Sequence, residues 1–246
     1  MMVHDIFYKL TKRLIDIIIS FILIILYTPL FLFCSLLIIL ETRRFPLIIQ
    51  KRALSIKSKP INILKFRTLS GDFDTSTYTQ PLKRVNLLEK VGSTGKFLRL
   101  TGLDELPQLI NVFHGNMSLI GPRPLDYRDL ELIDKQYPHI SENRAKLRVK
   151  PGITGLWQTH KDDKLDPEYM YFLDELYTKE KSLLLDFYII MKTIQLIFTL
   201  KHKDGILLDS GKANIFKFSV FSLSFIYFLI VFVVIYFFAS FILEGG

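Results

Sequence analysis

The chain has 246 residues, of which 50% are hydrophobic, and a formal net charge of +8. This length is enough for one globular domain with its own core. The single cysteine, Cys34, excludes an intrachain disulfide and a thiolate metal cluster, and it fits a reducing cytoplasmic setting.

The positive charge is unevenly distributed along the chain. Residues 1–70 hold eleven Lys and Arg but three Asp and Glu, and they include a long apolar segment. A basic surface beside a membrane segment is attracted to anionic lipid headgroups and to phosphorylated ligands. The chain has no recognisable nucleic-acid-binding motif, so nucleic acid is not expected as a partner.

The first apolar segment, residues 17–40, contains no charged side chain. About twenty such residues suffice for a helix that crosses a bilayer. Basic residues flank both ends of the segment, and such residues favour the cytoplasmic side of a membrane. They are Lys9, Lys12 and Arg13 before the segment, and Arg43 and Arg44 after it.

Pro29 lies near the middle of this segment, where it removes a backbone hydrogen bond and kinks a helix. The Thr28 hydroxyl is expected to satisfy the carbonyl that the proline frees. We therefore predict that residues 1–45 form a re-entrant membrane helix with both ends on one face. An ordinary transmembrane span is the alternative. A cleaved signal peptide is disfavoured, because the apolar run is long and lacks a small-residue cleavage site.

Two more apolar stretches lie toward the carboxyl terminus. Residues 218–243 are uncharged and predict an extra transmembrane helix within a C-terminal segment, 212–246. Residues 182–201 are apolar but interrupted by polar side chains at helical spacing. This pattern favours an amphipathic helix at the membrane interface, with a helix packed on the domain core as the close alternative.

Residues 46–211 predict a small cytoplasmic domain of the α+β class, mainly helical with few short strands. Residues 60–69 alternate as in a strand that presents Lys65 and Arg67 on one face. The polar loop that follows contains Asp72-Phe73-Asp74, a spacing with which many nucleotide-sugar transferases hold a divalent metal. Solvated loop acids are the favoured interpretation of so short a match.

Residues 101–107 begin a helix, and Pro107 must lie near its start. The adjacent acids Asp104 and Glu105 therefore lie in or just before the first turn. Local spacing favours a capping box of Thr101 and Asp104. Because adjacent acids point in different directions on a helix, a catalytic pair with two separate roles is the other interpretation. The apolar face of this helix is predicted to contain Leu103, Leu106, Leu109, Ile110 and Phe113.

Further cations lie in the second half of the domain. Pro122 and Pro124 hold Arg123 in an extended conformation that suits bidentate contacts with phosphate. Arg148 and Lys150 are predicted on one face of a short strand before a Pro-Gly turn. Together with the two cations of the earlier strand, they indicate a site for a polyanion.

Five motifs resemble the bacterial sugar transferases, the monotopic polyprenyl-phosphate phosphoglycosyl transferases that start glycan assembly on a lipid carrier. The similarity extends from Lys12 to about Lys201. Because all five motifs occur in the same order as in the family, the catalytic acid pair is favoured over the capping box. The motifs are Lys12-Arg13-Leu14-Ile15-Asp16, Leu64-Lys65-Phe66-Arg67-Thr68, Leu103-Asp104-Glu105-Leu106-Pro107-Gln108-Leu109, Gly121-Pro122-Arg123-Pro124-Leu125 and Lys150-Pro151-Gly152-Ile153-Thr154-Gly155.

The resemblance implies a two-step transfer of a sugar phosphate. Asp104 attacks the β-phosphorus of a UDP-sugar, expels UMP and forms a covalent phosphosugar intermediate. Undecaprenyl phosphate, or another polyprenyl phosphate, then attacks this intermediate. Mg²⁺ is the implied cofactor, with Glu105 and Asp104 as its ligands. The substrate-binding residues implied by the same motifs are Lys65, Arg67, Arg99, Pro122, Arg123, Pro124, Arg148 and Lys150.

The resemblance also implies a catalytic domain on the cytoplasmic face of the bacterial inner membrane. Lys12 and Arg13 are expected at the lipid headgroups, and Thr28 and Pro29 at the kink. UDP-sugar, polyprenyl phosphate and membrane lipid are the implied partners. The oligomeric state stays open, with a homodimer among the candidates.

Three positions depart from the usual pattern of the family. Residues 53–55 are Ala-Leu-Ser where a Pro-Gly turn is common, Asn116 stands where Asp is common, and Lys150 stands where Arg is common. Two other functions remain as alternatives. A membrane-bound glycosyltransferase that holds its metal with Asp72 and Asp74 would release UDP, and a membrane scaffold would have no activity. The sequence does not identify the sugar.

Overall fold

The computed structural model describes residues 2–69, 91–160 and 166–198. The predicted transmembrane helix at 218–243 and the Asp72-Phe73-Asp74 motif lie outside these ranges. Within them, the chain is mainly helical with few short strands, so this part of the α+β prediction is confirmed.

The first element is one long helix, α1 (Met2–Thr42). Among the described residues, it is the one helix long and apolar enough to cross a membrane, which is compatible with membrane association. Its apolar side chains divide between two environments. Cys34 and Ile38 are buried against the domain, whereas many others remain exposed. The exposed set includes Phe7, Leu10, Leu14, Ile18, Ile22, Ile25, Leu32, Phe33, Leu36 and Leu40.

The prediction for Thr28 is wrong in one respect. Pro29 lies inside α1 and frees the carbonyl of Ile25, four residues earlier. The Thr28 hydroxyl instead donates to the carbonyl oxygen of Ile24 at 2.7 Å. The hydroxyl thus bonds the carbonyl four residues before Thr28, whereas the carbonyl that Pro29 frees lies three residues before it.

The strands form two small sheets. In the larger one, β1 (Leu47–Ala53) lies between β2 (Ile61–Phe66) and β4 (Leu125–Asp126), and both pairings are antiparallel. In the smaller one, β3 (Ser118–Ile120) runs parallel to β5 (Gly152–Thr154). The register pairs Ile48 with Lys65, Arg52 with Asp126, and Ser118 with Gly152.

The remaining helices surround these sheets, and several begin with clear sequence signals. Asp126 and Asp166 each accept a hydrogen bond from a backbone N–H of the following helix, and Pro138 and Pro167 occupy first turns, where proline is tolerated. The helices are α2 (Ser93–Thr101), α3 (Gln108–His114), α4 (Tyr127–Gln136), α5 (Pro138–Ala145), α6 (Leu156–His160), α7 (Pro167–Glu180) and α8 (Leu183–Phe198).

The main core joins the sheets to the helices that follow them, and fully buried examples are Val112, Met117, Ile140 and Met170. A second, smaller cluster lies under the carboxyl-terminal half of α1. Its buried members are Cys34, Ile38, Phe66 and Leu98.

A buried polar network attaches the amino-terminal half of α1 to the domain. The Asp16 carboxylate accepts hydrogen bonds from Lys12 Nζ at 2.9 Å, from Ser118 Oγ at 2.7 Å and from Leu119 N at 3.2 Å. Lys12 Nζ also lies 3.6 Å from Asp186 on α8. Since buried charges require partners, this network fixes where α1 meets β3 and α8.

Helix α8 combines the two interpretations of its sequence. Asp186 and Ile189 are buried against the domain, as expected for a helix packed on the core. The opposite face exposes Leu184, Phe187 and Met191, as expected for a helix at a membrane interface.

The predicted strand at Arg148 and Lys150 is wrong. These residues lie in an irregular segment, and β5 begins only at Gly152. Pro151 has no N–H with which to continue a ladder, although its carbonyl accepts a hydrogen bond from Ser118 N at 2.9 Å. The earlier strand is also shorter than predicted, because β2 ends at Phe66.

We expect Gly152→Ala to destabilise the fold strongly, because a Cβ at this position would collide with the backbone of Gly121. The free energy of unfolding should fall by about 2 kcal/mol or more, as for overpacked sites. Gly92→Ala is the matched control, since the nearest atoms to its Cβ belong to the end of the Glu41 side chain, which can shift, rather than to backbone. Denaturant unfolding in detergent measures both variants, and equal losses would contradict the close backbone approach.

Candidate active site

The two acids lie in a short 3-10 turn, Leu103–Glu105, between α2 and α3. Gly102 ends α2 with a φ of 72°, a left-handed conformation that glycine adopts without strain. Pro107 then precedes α3, where its missing N–H costs no helical hydrogen bond. The turn that carries Asp104 and Glu105 packs against β2.

The capping box does not form. The Thr101 hydroxyl donates backward to the carbonyl oxygens of Phe97 and Leu98, within its own helix. No side chain caps the 3-10 turn at Gly102. Thr101 and Asp104 therefore do not cap a helix. The two acids instead contact Lys65 and Arg123, which are distant in sequence.

Two cations hold the acid pair. Lys65 Nζ, on β2, lies 2.7 Å from Glu105 Oε1 and 3.3 Å from Asp104 Oδ2. Arg123 Nη2 lies 2.8 Å from the same Glu105 oxygen, and Arg123 Nη1 lies 3.5 Å from Glu105 Oε2. Lys65 therefore pairs with both acids, and Arg123 pairs with Glu105 through both of its terminal nitrogens.

These four side chains carry two negative and two positive charges, and they are mostly buried. Exposed fractions of the four side chains range from 7% for Glu105 to 14% for Arg123. Burying two adjacent carboxylates costs several kcal/mol per ion unless cations compensate them. Asp104, at 13%, is more accessible than Glu105. The arrangement keeps one carboxylate fixed and leaves the other better placed to meet a ligand.

The loop that carries Arg123 is held by close contacts between backbones. Gly121 N donates to Thr154 O at 2.9 Å, and Gly152 N donates to Pro122 O at 3.0 Å. A side chain at Gly121 or Gly152 would collide with the facing backbone. The two glycine-containing motifs of the sequence therefore interlock, and this contact sets the position of Arg123.

Two other predicted cations, Arg99 and Arg67, make hydrogen bonds near the end of β2. Arg99 Nε, on α2, donates to Thr68 Oγ1 at 2.7 Å. Arg67 lies just beyond β2, where its Nε donates to the carbonyl oxygen of Phe45 at 3.0 Å. Arg148 is exposed.

Lys150 lies near Arg13 rather than with the acids. Both cations approach Gly115, at the carboxyl-terminal end of α3, whereas the acid pair precedes the amino-terminal end of that helix. Partial burial and the nearby Arg13 lower the pKa of Lys150, and Asp16 opposes this effect. Asn116, the other departure from the family pattern, is exposed in the same region.

Lys12 and Arg13 are both engaged within the protein. Lys12 is buried in the network around Asp16. Arg13 donates to the carbonyl oxygens of Val112 and Phe113 at 2.6 and 2.8 Å, and thereby caps α3. Their contacts attach α1 to the domain, and the expectation that they lie at lipid headgroups remains a prediction.

The acid pair also offers oxygen ligands for a cation. Mg²⁺ is commonly held by one or two carboxylates together with substrate phosphates and water. Asp104 and Glu105 fit that donor set. The described ranges contain no cluster of three or more Asp, Glu, His or Cys that could hold a metal without a substrate.

Sequence reasoning missed a second group of residues around Arg123. Arg144 on α5 is fully buried, pairs with Asp174 on α7 at 2.7 Å, and donates to the carbonyl oxygen of Arg123 at 2.9 Å. The only signal was Asp174 itself, an acid at helical spacing from the apolar residues Met170 and Tyr177.

The fold and the site define an α+β domain with an apolar amino-terminal helix and an acid pair compensated by Lys and Arg. The family model for bacterial sugar transferases matches residues 7–200. The chain therefore belongs to the bacterial sugar transferase family.

Curated relatives agree with this assignment. An uncharacterized sugar transferase of Haemophilus influenzae is 31% identical over 80% of this chain and 42% of its own length. The UDP-glucose:undecaprenyl-phosphate glucose-1-phosphate transferase of Klebsiella pneumoniae is 36% identical over 74% of this chain and 39% of its own length. The exopolysaccharide production protein ExoY of Sinorhizobium fredii is 30% identical over 75% of this chain and 84% of its own length. The chain thus spans about two fifths of the first two relatives.

We expect Lys65→Met to lower the free energy of unfolding by about 3 kcal/mol, because it leaves buried carboxylates undercompensated. Adding Glu105→Gln to this variant should restore part of the loss, since it removes one of the two negative charges. Lys57→Met is the control, because Lys57 pairs with Glu142 at the surface and should cost under about 1 kcal/mol. Denaturant unfolding of the purified protein tests this. No recovery in the double variant would contradict the charge balance.

Proposed function

We propose that the protein transfers a sugar-1-phosphate from a UDP-sugar to a polyprenyl phosphate, with release of UMP. The observation that carries this proposal is the acid pair held by Lys65 and Arg123 in a chain of the bacterial sugar transferase family. The names of relatives, which include undecaprenyl-phosphate glucose and galactose phosphotransferases, support this class of substrates.

Asp104 is the proposed nucleophile. One of its carboxylate oxygens attacks the β-phosphorus of the donor, and the bond from that phosphorus to the bridging oxygen breaks. UMP leaves with the electron pair, and an aspartyl phosphosugar remains. A phosphate oxygen of the polyprenyl phosphate then attacks the same phosphorus, which forms the diphosphate and restores the Asp104 carboxylate.

The geometry supports this division of roles. Glu105 is the more buried acid and makes close contacts with Lys65 at 2.7 Å and Arg123 at 2.8 Å. Asp104 is more accessible, and Lys65 lies 3.3 Å from it. Because a carboxylate and a diphosphate repel each other, nearby cations are needed for their approach. Lys65 and Arg123 are positioned to provide that compensation.

Mg²⁺ is the proposed cofactor, held by Glu105 and Asp104 together with oxygens of the donor diphosphate. When bound, it would offset negative charge on the phosphates and on the leaving UMP. Lys65 and Arg123 hold the two carboxylates in place beside each other.

Contacts along α1 support the proposed membrane arrangement. Near its start, the Tyr8 hydroxyl donates to Asp186 on α8 at 3.1 Å. Near its end, Glu41 accepts a hydrogen bond from Thr94 N on α2 at 3.4 Å. Both ends thus contact one domain, which supports a re-entrant helix. The basic residues at both ends of the apolar segment favour the cytoplasmic face for that domain. The exposed apolar side chains of α1 and α8 would then face lipid.

The reaction is tested by incubating the purified protein with a panel of UDP-sugars, Mg²⁺ and undecaprenyl phosphate. We expect UMP and a lipid-linked product with at least one sugar, and loss of both after Asp104→Asn or chelation of the metal. Asp134→Asn, an acid on α4 near Lys57, is the matched control and should retain turnover. Release of UDP would indicate a glycosyltransferase instead, and unchanged turnover after Asp104→Asn would refute the proposed nucleophile.

Topology is tested with single cysteines at positions 5 and 45. We expect Asp5→Cys and Phe45→Cys, each made in a Cys34→Ala background, to react with an impermeant maleimide from the same, cytoplasmic side. Labelling in inverted and right-side-out vesicles distinguishes the faces, and permeabilised vesicles give the full signal. Labelling of the two positions from opposite sides would show an ordinary transmembrane span.

A further inference from the structure

The loop that presents Arg123 accepts hydrogen bonds at three successive carbonyls. Pro122 O accepts from Gly152 N at 3.0 Å, Arg123 O accepts from Arg144 Nη2 at 2.9 Å, and Pro124 O accepts from Arg52 Nη1 at 3.3 Å. The two prolines have no N–H, so their backbones attach to the domain through their carbonyls. Of these three donors, Arg144 is the one that bonds to the backbone of Arg123, the residue whose side chain pairs with Glu105.

Arg144 makes this contact from within the core. Its exposed fraction is 1%, and its Nε donates to Leu54 O at 2.8 Å, at the end of β1. The guanidinium therefore joins the end of β1 to the Arg123 loop. Burial lowers the pKa of Arg144, and the nearby Asp174 opposes this effect.

Asp174 compensates the charge of Arg144. Arg144 Nη1 lies 2.7 Å from Asp174 Oδ2, and the exposed fraction of Asp174 is 2%. An isolated buried guanidinium would be costly, so the acid on α7 is what permits the arginine in this position. A pair of this kind often stabilises less than apolar packing would, which favours a specific role over a purely stabilising one.

We propose that Arg144, compensated by Asp174, is a positioning residue that holds Arg123 against Glu105 during phosphosugar transfer. This inference rests on the proposed function. Arg144 acts through the backbone of Arg123 and contacts neither acid. Its planar fork donates to two carbonyls on different elements while it pairs with the carboxylate, a geometry that a lysine ammonium does not reproduce.

The test is a double-mutant cycle on UMP release. Arg144→Lys keeps the charge beside Asp174 but loses the fork, and it should lower kcat by roughly ten- to a hundredfold, as for a misplaced catalytic group. KM for the UDP-sugar should change much less. In an Arg123→Ala background, Arg144→Lys should have little further effect, because the group that it positions is already absent.

Ser141→Ala is the matched control on the same helix. Ser141 is buried beside Ser55, with hydroxyl oxygens 3.2 Å apart, and does not contact the Arg123 loop. It should lower the unfolding temperature without lowering kcat. If Arg144→Lys does not fold, Asp174→Asn, which keeps the shape of the side chain, enters the same cycle with the same expected result.

The outcomes separate this inference from the proposed function. UMP release by the wild-type protein with independent, multiplicative losses in the double variant would refute the positioning role alone. A wild-type protein that releases no UMP from any donor of the panel would refute the proposed function, and the inference with it.

Discussion

Charge compensation at the Asp104–Glu105 pair is the constraint on which the site depends. Two adjacent carboxylates cannot be buried together unless cations offset their repulsion and desolvation. Lys65 supplies one cation from β2, and Arg123 supplies the other from a proline-flanked loop. A diphosphate ligand would bring further negative charge, so the same two cations that stabilise the resting site also suit it for a phosphorylated substrate.

The rest of the domain brings these distant residues together. Glycines at 121 and 152 let two loops approach until their backbones interlock, and the buried Arg144–Asp174 pair ties the Arg123 loop to the end of β1. The network around Asp16 attaches α1 to the same body. Since α1 and α8 also expose apolar side chains, the attachment keeps the acid pair at a fixed place relative to the surface that would face lipid.

The sequence was informative where a local pattern or an ordered motif existed. The mainly helical domain and the candidate pair Asp104 and Glu105 followed from such patterns, whereas the capping box and the strand before Gly152 did not form. Local chemistry explains both outcomes, because the Thr101 hydroxyl bonds within its own helix and Pro151 has no N–H with which to continue a strand. Arg144 could not be found, since a contact between α5 and α7 leaves no periodic trace in the sequence. The place of Lys150 beside Arg13 likewise depends on how α1 packs.

The central claim is that Asp104 forms a covalent bond with the phosphosugar. The most direct measurement is the mass of the protein after incubation with a UDP-sugar and Mg²⁺ in the absence of lipid acceptor. The account predicts an added phosphosugar on the peptide that contains Asp104, its loss on addition of undecaprenyl phosphate, and no adduct after Asp104→Asn. Two results together would contradict the account. The wild-type protein would show no adduct, and the Asp104→Asn variant would still release UMP at the full rate in the complete reaction.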